Sequence, residues 1–324
     1  MNHPYATLTP DVVMDAVEST GYKCDARILE LNSYENRVYQ VGIEDQEPII
    51  AKFYRHDRWS DEQIIEEHVF TQELLDNEIT AVPPLLIDDK TLIIHDGFRF
   101  SLYERRGGRA PELDDPQSLE VLGRYIGRIH RVGSSRLFER RPTITADDYG
   151  YAARDYLLAN DFIPEDIRDA YESVATGLLN DMHNILNESF EKIRLHGDCH
   201  MGNVLWRDAT PHFVDFDDSR NGPAIQDLWM MLSGEREAQS EQMRHILIGY
   251  RDFAEFNFRQ LRLIEPLRTL RMMYHSAWIA RRWNDPAFPR AFPFFNTARY
   301  WSEHVLELRE QWAKLSEPVL QVYI

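Results

Sequence analysis

The chain has 324 residues, of which 43% are hydrophobic and 28% are charged, a balance typical of folded globular proteins. Thirty-six Lys and Arg against 54 Asp and Glu give a formal net charge of −18, so the average field repels nucleic acid and anionic membranes. Two cysteines are too few for a secreted disulfide framework, and the sequence has neither an amino-terminal signal pattern nor a long apolar stretch. We therefore expect a cytoplasmic protein without a nucleic-acid or membrane partner.

The first hundred residues alternate between strand and helix patterns. After a predicted helix with Thr9 as its N-cap, the runs ARILELNS, NRVYQVGI and EPIIAKFYR predict an antiparallel meander with Lys52 on its third strand. The stretch SDEQIIEEHVFTQELLDN changes to a period near 3.6 and predicts a helix that begins after Ser60 and carries Glu67 on its inward face. The runs TLIIHD and FRFSLYER then predict a hairpin with its turn at HDG.

A linker is predicted near residue 106, where RRGGRAPELDDP is rich in Gly, Pro and charge. Beyond it the periodicity is mostly helical, except that NVLW and HFVDF around the turn RDATP predict a β-hairpin. Because single cores stop growing near roughly 250–300 residues, we expect two lobes. The predicted fold class is α+β, with a small antiparallel β-rich lobe and one key helix over 1–105 and a larger, mainly helical lobe over 106–324.

The stretch HGDCHMGNVLW, residues 196–206, contains most of the candidate chemistry. Phosphoryl transfer uses one carboxylate for the acceptor hydroxyl, and an amide oxygen with a second carboxylate for Mg²⁺. Asp198 and Asn203 have the required types, and the predicted hairpin would return Asp215 to the side of Asn203. We therefore predict Asp198 as the general base, Asn203 and Asp215 as metal ligands, and His196 as a structural residue that bonds the loop backbone.

The motif alone leaves other interpretations open. Four of its residues are also candidate zinc ligands: His196, Asp198, Cys199 and His200. Adjacent loop residues seldom all face one metal, so a metal-dependent hydrolase is less favoured, with Cys199 and His200 as bystanders. Lys52 counts against a hydrolase, because an unpaired ammonium on a central strand is costly and needs a partner such as Glu67 or a phosphate.

Together with AKFY and FVDFDDSRNGPAIQDLWMM, this stretch resembles the aminoglycoside phosphotransferase and choline kinase branch of the protein-kinase-like fold. LNSYENRVYQ adds a similarity to a bacterial subgroup of Ser/Thr protein kinases that acts in stress response. The resemblance covers most of the chain. It implies a monomeric kinase that uses ATP and Mg²⁺ and phosphorylates Ser or Thr of a protein, itself included. The alternatives are a small alcohol such as choline, homoserine or an aminoglycoside, and a catalytically dead nucleotide-binding module.

The resemblance also implies residue roles. It assigns a catalytic pair, Asp198 and Asp215, a metal pair, Asn203 and Asp215, and three nucleotide-site residues, Ser33, Lys52 and Glu67. Glu66 is the alternative to Glu67, because helix registers read from sequence slip easily. Asp227 is expected to bond the backbone of the catalytic loop.

Three further expectations concern the surroundings of the site. The adenine would lie against the backbone of residues 104–106. The chain has NSYENR where protein kinases carry G-x-G-x-x-G, and DFD without an APE signature, so we expect no activation-loop switch. In RMMYHSAWIARRW, Arg281 and Arg282 are candidate acceptor-binding residues, although such aromatic and Met stripes usually pack in a core.

Overall fold

The computed structural model describes residue 3, residues 5–31 and residues 33–324. Its amino-terminal part contains two helices and an antiparallel sheet: α1 (Pro10–Glu18), β1 (Cys24–Glu30), β2 (Arg37–Ile43), β3 (Ile49–Phe53), α2 (Asp61–Asp76), β4 (Ile93–His95) and β5 (Phe98–Glu104). The predicted meander and hairpin are both confirmed. Asn32, in the predicted turn NSYENR, lies outside the described residues.

The sheet has the strand order β1-β2-β3-β5-β4. The second strand of the hairpin, and not the first, therefore pairs with β3, and Lys52 lies opposite Val38 on one side and Ser101 on the other. Lys52 thus occupies a central strand, as its apolar neighbours predict. A charged side chain at such a position is stable only with a partner across the cleft.

Helix α2 follows β3 in the chain and begins at a capping box. The Ser60 hydroxyl accepts a hydrogen bond from the Gln63 backbone N–H, and the Gln63 side chain accepts one from the Ser60 N–H. The helix buries a mixed face in which Glu67, His68 and Thr71 lie among the apolar residues Ile64, Phe70 and Leu74. The register of α2 therefore places the carboxylate of Glu67 on the buried side of the helix.

The rest of the chain is mainly helical. Its elements are α3 (Pro116–Gly133), a π-helical turn (Asp147–Tyr151), α4 (Ala152–Ala159), α5 (Glu165–Leu186), β6 (Ile193–Leu195), β7 (Val204–Arg207), β8 (Thr210–Phe213), β9 (Arg220–Gly222), α6 (Ile225–Trp229), α7 (Arg236–Tyr250), α8 (Ile264–Arg281), α9 (Ala287–Ala291) and α10 (Ala298–Leu315). Short 3-10 turns precede β7, β9 and α8. The predicted hairpin at RDATP is confirmed as β7–β8. No helix in the described ranges has the length and apolar character needed to cross a membrane.

The predicted linker connects the last strand of the sheet to the first helix of the helical part. Strand β5 ends at Glu104 and helix α3 begins at Pro116, so RRGGRAPELDDP lies between them. Helix α3 packs so closely against α7 that a Cβ added to Gly123 would lie 1.9 Å from the Ile246 carbonyl oxygen. The division into lobes 1–105 and 106–324 stays a prediction.

A buried ionic cluster joins the sheet to the helical part. Asp285, in the connection between α8 and α9, accepts from Arg37 at 3.0 Å and also pairs with Arg55. Glu35, between β1 and β2, pairs with Arg282 at 2.6 Å. Both carboxylates are buried, so each pair holds its two elements together only while the geometry of the cluster is intact.

We predict that Asp285→Ala lowers the free energy of unfolding by about 3–5 kcal/mol, because it leaves the buried guanidinium groups of Arg37 and Arg55 without their shared carboxylate. Urea unfolding followed by circular dichroism measures the change. The matched control is Glu303→Ala, which removes an exposed ion pair with Arg299 and should change stability by about 0.5 kcal/mol or less. Equal effects of the two substitutions would contradict the assignment.

Candidate active site

A cavity of about 830 Å³ lies between the sheet and the helical part, a size typical of small-ligand sites. The structure brings all six predicted site residues to its wall: Ser33, Lys52, Glu67, Asp198, Asn203 and Asp215. They come from four separate regions of the chain. Their spatial convergence is an observation, whereas their individual roles stay predictions.

One end of the cavity is apolar. Its lining includes Leu31, Val38, Ile50, Val82, Leu205 and Val214. Tyr103 and Glu104, at the end of β5, and Arg106 border the same space. Apolar side chains on the cavity wall suit a flat heteroaromatic ring, and the position of the adenine beside residues 104–106 stays a prediction.

Lys52 pairs with the segment that follows the β7–β8 hairpin. Its Nζ lies 2.9 Å from Oδ1 of Asp215 and 3.4 Å from Oδ1 of Asp217. Burial lowers the pKa of Lys52, but these two carboxylates outweigh burial and hold the pKa well above its usual value. The predicted direct pair with Glu67 is not formed: no Lys52–Glu67 ion pair lies within 4 Å in the described chain, because the DFDD segment brings two carboxylates closer.

Glu67, and not Glu66, faces the cavity. The Glu66 carboxylate accepts hydrogen bonds from the backbone N–H groups of Glu139, Arg140 and Arg141, on the outer side of α2. Burial raises the pKa of Glu67 to about 7, although Lys52 and Arg141 act in the opposite direction. The carboxyl of Glu67 is therefore partly protonated at neutral pH.

Asp227 organises the backbone of the predicted catalytic loop. Its carboxylate accepts from the N–H groups of His196 and Gly197, both at 2.9 Å, and lies 3.0 Å from Nε2 of His130 on α3. The His196 ring in turn lies 3.0 Å from the carbonyl oxygen of Val214. The expected backbone contacts of Asp227 and His196 are thus confirmed.

The hairpin brings Asp215 back to Asn203. Val204 lies opposite Phe213 in the β7–β8 register, and the Val214 N–H donates to the Asn203 carbonyl oxygen at 3.1 Å. Asp215 then adopts a left-handed backbone conformation with φ of 59°, which Asp tolerates better than most residues. The predicted convergence of the two candidate metal ligands depends on this turn.

The oxygen atoms of Asn203 and Asp215 fit a divalent cation. The Asn203 amide nitrogen donates to the Asp198 carbonyl oxygen at 3.0 Å, while its Oδ1 accepts no hydrogen bond from any described residue. The Asp215 side chain is 55% exposed to the cavity. Mg²⁺ is typically held by one or two such oxygen ligands together with substrate phosphates. In contrast, the described residues contain no cluster of three or more His, Cys, Asp or Glu suited to a metal, as a zinc site requires.

Asp198 lies between two basic side chains. Its Oδ1 is 2.7 Å from Nη1 of Arg271, and its Oδ2 is 3.4 Å from Nε2 of His200. Burial raises the pKa of Asp198, but His200 and Arg271 outweigh it and keep the pKa below its usual value. The expectation that His200 is a bystander is therefore wrong. Cys199 is buried, and burial raises the pKa of its thiol, as befits a residue that fills space.

Arg271 lines the cavity, whereas the two candidate acceptor-binding residues, Arg281 and Arg282, do not. Arg281 donates to the Ala152 carbonyl oxygen outside the cavity, and Arg282 is held by Glu35. Both side chains are directed away from the cavity by these contacts, whereas Arg271, earlier on α8, reaches Asp198. The signal that could have identified Arg271 is the helical spacing of polar and aromatic residues after it.

The second and third carboxylates of DFDD were also missed. Arg58 pairs with both Asp217 and Asp218, the latter at 2.8 Å. Burial raises the pKa of Asp217, but Arg58 and Lys52 outweigh it and lower the pKa to about 2. Asp217 is thus a fixed negative charge between the strand lysine and Arg58. Nothing in the local pattern of DFDD distinguishes it from a solvated turn.

Comparison with known proteins agrees with this geometry. A family model described as the phosphotransferase enzyme family matches residues 27–264, and the chain belongs to that family. The fold class is confirmed as the two-lobed α+β architecture of these kinases, and the chain is an ATP-dependent phosphotransferase.

Two relatives extend over nearly the whole chain. The protein named Stress response kinase A from Escherichia coli O157:H7 is 43% identical over 98% of this chain and 97% of its own length. The protein named Serine/threonine protein kinase RdoA from Salmonella typhimurium strain LT2 is 42% identical over the same shares. Among solved structures, an amicoumacin kinase in complex with AMP-PNP, Ca²⁺ and Ami has a TM-score of 0.72 at 22% identity and covers 92% of this chain, with 93% of its own chain matched.

We predict that Asp227→Ala destabilises the protein by about 3 kcal/mol, because two buried N–H groups and His130 lose their acceptor. Hydrogen exchange should also accelerate at the amides of His196 and Gly197, which shows that the catalytic loop itself is loosened. The control is Asp169→Ala, which removes an exposed carboxylate from α5. Unchanged protection at the two loop amides would refute this role for Asp227.

We predict that Glu67→Gln flattens the pH dependence of stability between about pH 4.5 and 7. The pKa of Glu67 is raised from 4.5 to about 7 in the folded protein, so the stability gained by burying its protonated form is present at low pH and is lost as the pH rises through this window. The variant has no titratable group at this position and therefore shows no such loss. Across this pH window, the decrease in the free energy of unfolding should be smaller for the variant than for the natural protein by up to about 3 kcal/mol. Parallel unfolding profiles from pH 4.5 to 7.5 would contradict the assignment.

Proposed function

We propose that this protein transfers the γ-phosphoryl group of ATP to a Ser or Thr hydroxyl of a protein, itself included, in a bacterial stress response. The observation that carries the proposal is the convergence of Asp198, Asn203, Asp215 and Lys52 in one cavity. The two relatives named as a stress response kinase and a Ser/Thr protein kinase support the choice of acceptor, since each covers 98% of the chain. A cytoplasmic location and a monomeric state are part of the proposal.

Lys52 and Ser33 would hold the phosphates of the nucleotide. The ammonium of Lys52 is kept charged by Asp215 and Asp217, so it can exchange one anionic partner for a phosphate oxygen. Ser33 borders the same cavity on the turn that replaces a glycine-rich loop. Asn203 and Asp215 would bind Mg²⁺, which neutralises phosphate charge when bound.

Asp198 would orient the acceptor hydroxyl and accept its proton. The carboxylate is ionised and 22% exposed, which leaves it accessible from the acceptor side of the cavity. His200 and Arg271 keep it ionised, and Asp227 holds the loop from which it projects. This set of roles argues against a dead nucleotide-binding module, because such a module needs no accessible base beside the metal ligands.

A small-alcohol kinase is the alternative with the same chemistry. The structure titled microcompartment-associated aminopropanol kinase has a TM-score of 0.71, but its 17% identity supports the fold alone.

We predict that Asp198→Asn lowers phosphoryl transfer by about 10²- to 10⁴-fold while leaving the thermal shift on adding ATP and Mg²⁺ intact, since the amide cannot take the proton. Labelled ATP is incubated with a generic protein acceptor and, separately, with a panel of amino alcohols. Asp252→Asn, an exposed residue paired with Arg124, serves as the control and should keep full activity. Label that appears only in an amino alcohol would refute the protein acceptor, and no turnover or thermal shift would refute the kinase.

A further inference from the structure

We propose that the cavity-facing surface of α8 is the acceptor subsite, and that it selects a Ser or Thr hydroxyl flanked by an acidic side chain while rejecting cationic alcohols. The inference rests on the proposed function and names the class of its acceptor. Its central residue is Arg271, a cavity-lining residue on this face of α8 that contacts Asp198.

One face of α8 forms the wall nearest to Asp198. Arg271, Tyr274, His275 and Trp278 follow the spacing i, i+3, i+4 and i+7, and all four line the cavity. Arg271 lies 2.7 Å from the Asp198 carboxylate. A hydroxyl that reaches Asp198 therefore brings its neighbouring groups against this face.

Two aromatic side chains that line the cavity, Trp278 on α8 and Tyr149 in the π-helical turn, already contact cations. The guanidinium of Arg220 lies 5.1 Å from the centroid of the Tyr149 ring, and that of Arg282 lies 5.5 Å from the Trp278 ring. The rings of Tyr149 and Tyr274 are also stacked on each other at 4.4 Å. Open aromatic faces recognise ammonium groups, but here guanidinium groups and neighbouring rings take these positions.

The carboxylates near this wall are paired as well. Glu35 is bound by Arg55 at 3.1 Å and by Arg282 at 2.6 Å. Asp218 is bound by both Arg58 and Arg220 at 2.8 Å. A cationic acceptor would have to break one of these pairs to find a carboxylate, and breaking a partly or fully buried pair is costly. Glu35 and Asp218 are therefore not available to bind the ammonium group of an amino alcohol or an aminoglycoside.

Arg271, in contrast, is suited to bind an anionic group of the acceptor. Its side chain is 43% exposed, and Asp198 is its one carboxylate partner in the described chain. A guanidinium carries five N–H donors, so it can bind a second carboxylate while it stays near Asp198. Burial lowers the pKa of the neighbouring His275 to about 4, and His275 therefore adds no charge at neutral pH. Arg271 is the charge that an acidic flank of the acceptor would meet.

The test uses three Ser peptides that are identical except for flanking Glu, Gln or Lys. For the natural protein, kcat/KM and the affinity from fluorescence anisotropy should fall in the order Glu, Gln, Lys, by roughly tenfold per step, as a single charge pair or repulsion produces. Arg271→Gln should bring the Glu-to-Gln ratio close to one. Both peptides are assayed with the same variant, so an indirect effect of the substitution on Asp198 would slow both reactions equally. Such an effect alone would leave the Glu-to-Gln ratio at the value found for the natural protein.

Two further variants sharpen the result. Arg271→Glu should reverse the order so that the Lys peptide becomes the best substrate. Arg281→Gln, on the same helix but outside the cavity, should keep the natural order. Equal rates on all three peptides, or a preference that survives Arg271→Gln, would overturn the subsite but leave the protein kinase activity standing. Phosphorylation of aminopropanol or choline in place of the peptides, or of no acceptor at all, would overturn the proposed function together with this inference.

Discussion

The requirement that buried charges be paired governs the arrangement of this protein. Lys52 lies on a central strand and is stable there because Asp215 and Asp217 reach it from the hairpin of the other lobe. Asp217 in turn needs Arg58, which lies just before α2. The residues that would bind phosphate and metal therefore also help to join the sheet to the helical part, in addition to the cluster around Asp285. Nucleotide binding and lobe packing share one set of charges.

The same requirement explains how a strongly acidic chain can accept an anionic nucleotide. The cavity wall, like the chain as a whole, has more acidic than basic side chains, with seven carboxylates against Lys52, Arg58, Arg106 and Arg271. Ion pairs such as Lys52 with Asp215 and Arg58 with Asp218 hold these cations in the cleft, where a phosphate can meet them. Composition describes the average field around the chain, but it cannot describe the interior of a cleft.

Much of the fold and half of the site chemistry could be predicted from local patterns. Alternation of apolar residues predicted the strands, and the capping residues Thr9 and Ser60 marked helix starts that the structure confirms. The hairpin around RDATP predicted the return of Asp215 to Asn203, because two strands joined by a short turn place their outer ends side by side. The expected Lys52–Glu67 ion pair is not formed. The choice of Lys52 among Asp215, Asp217 and Glu67 depends on how the sheet and the helical part approach each other, which no local pattern predicts.

The sequence by itself determined the elements, the class of chemistry and the residues that meet within one hairpin or one helix turn, because these follow from periodicity and short-range geometry. Only the tertiary structure decided which charges pair across the cleft: Asp215 with Lys52, Arg271 with Asp198, and Glu35 with Arg282. The members of these pairs are separated by 73 to 247 positions along the chain. Their distances are set by the packing of α8 and of the sheet, and no local pattern in the amino-acid sequence encodes that packing directly.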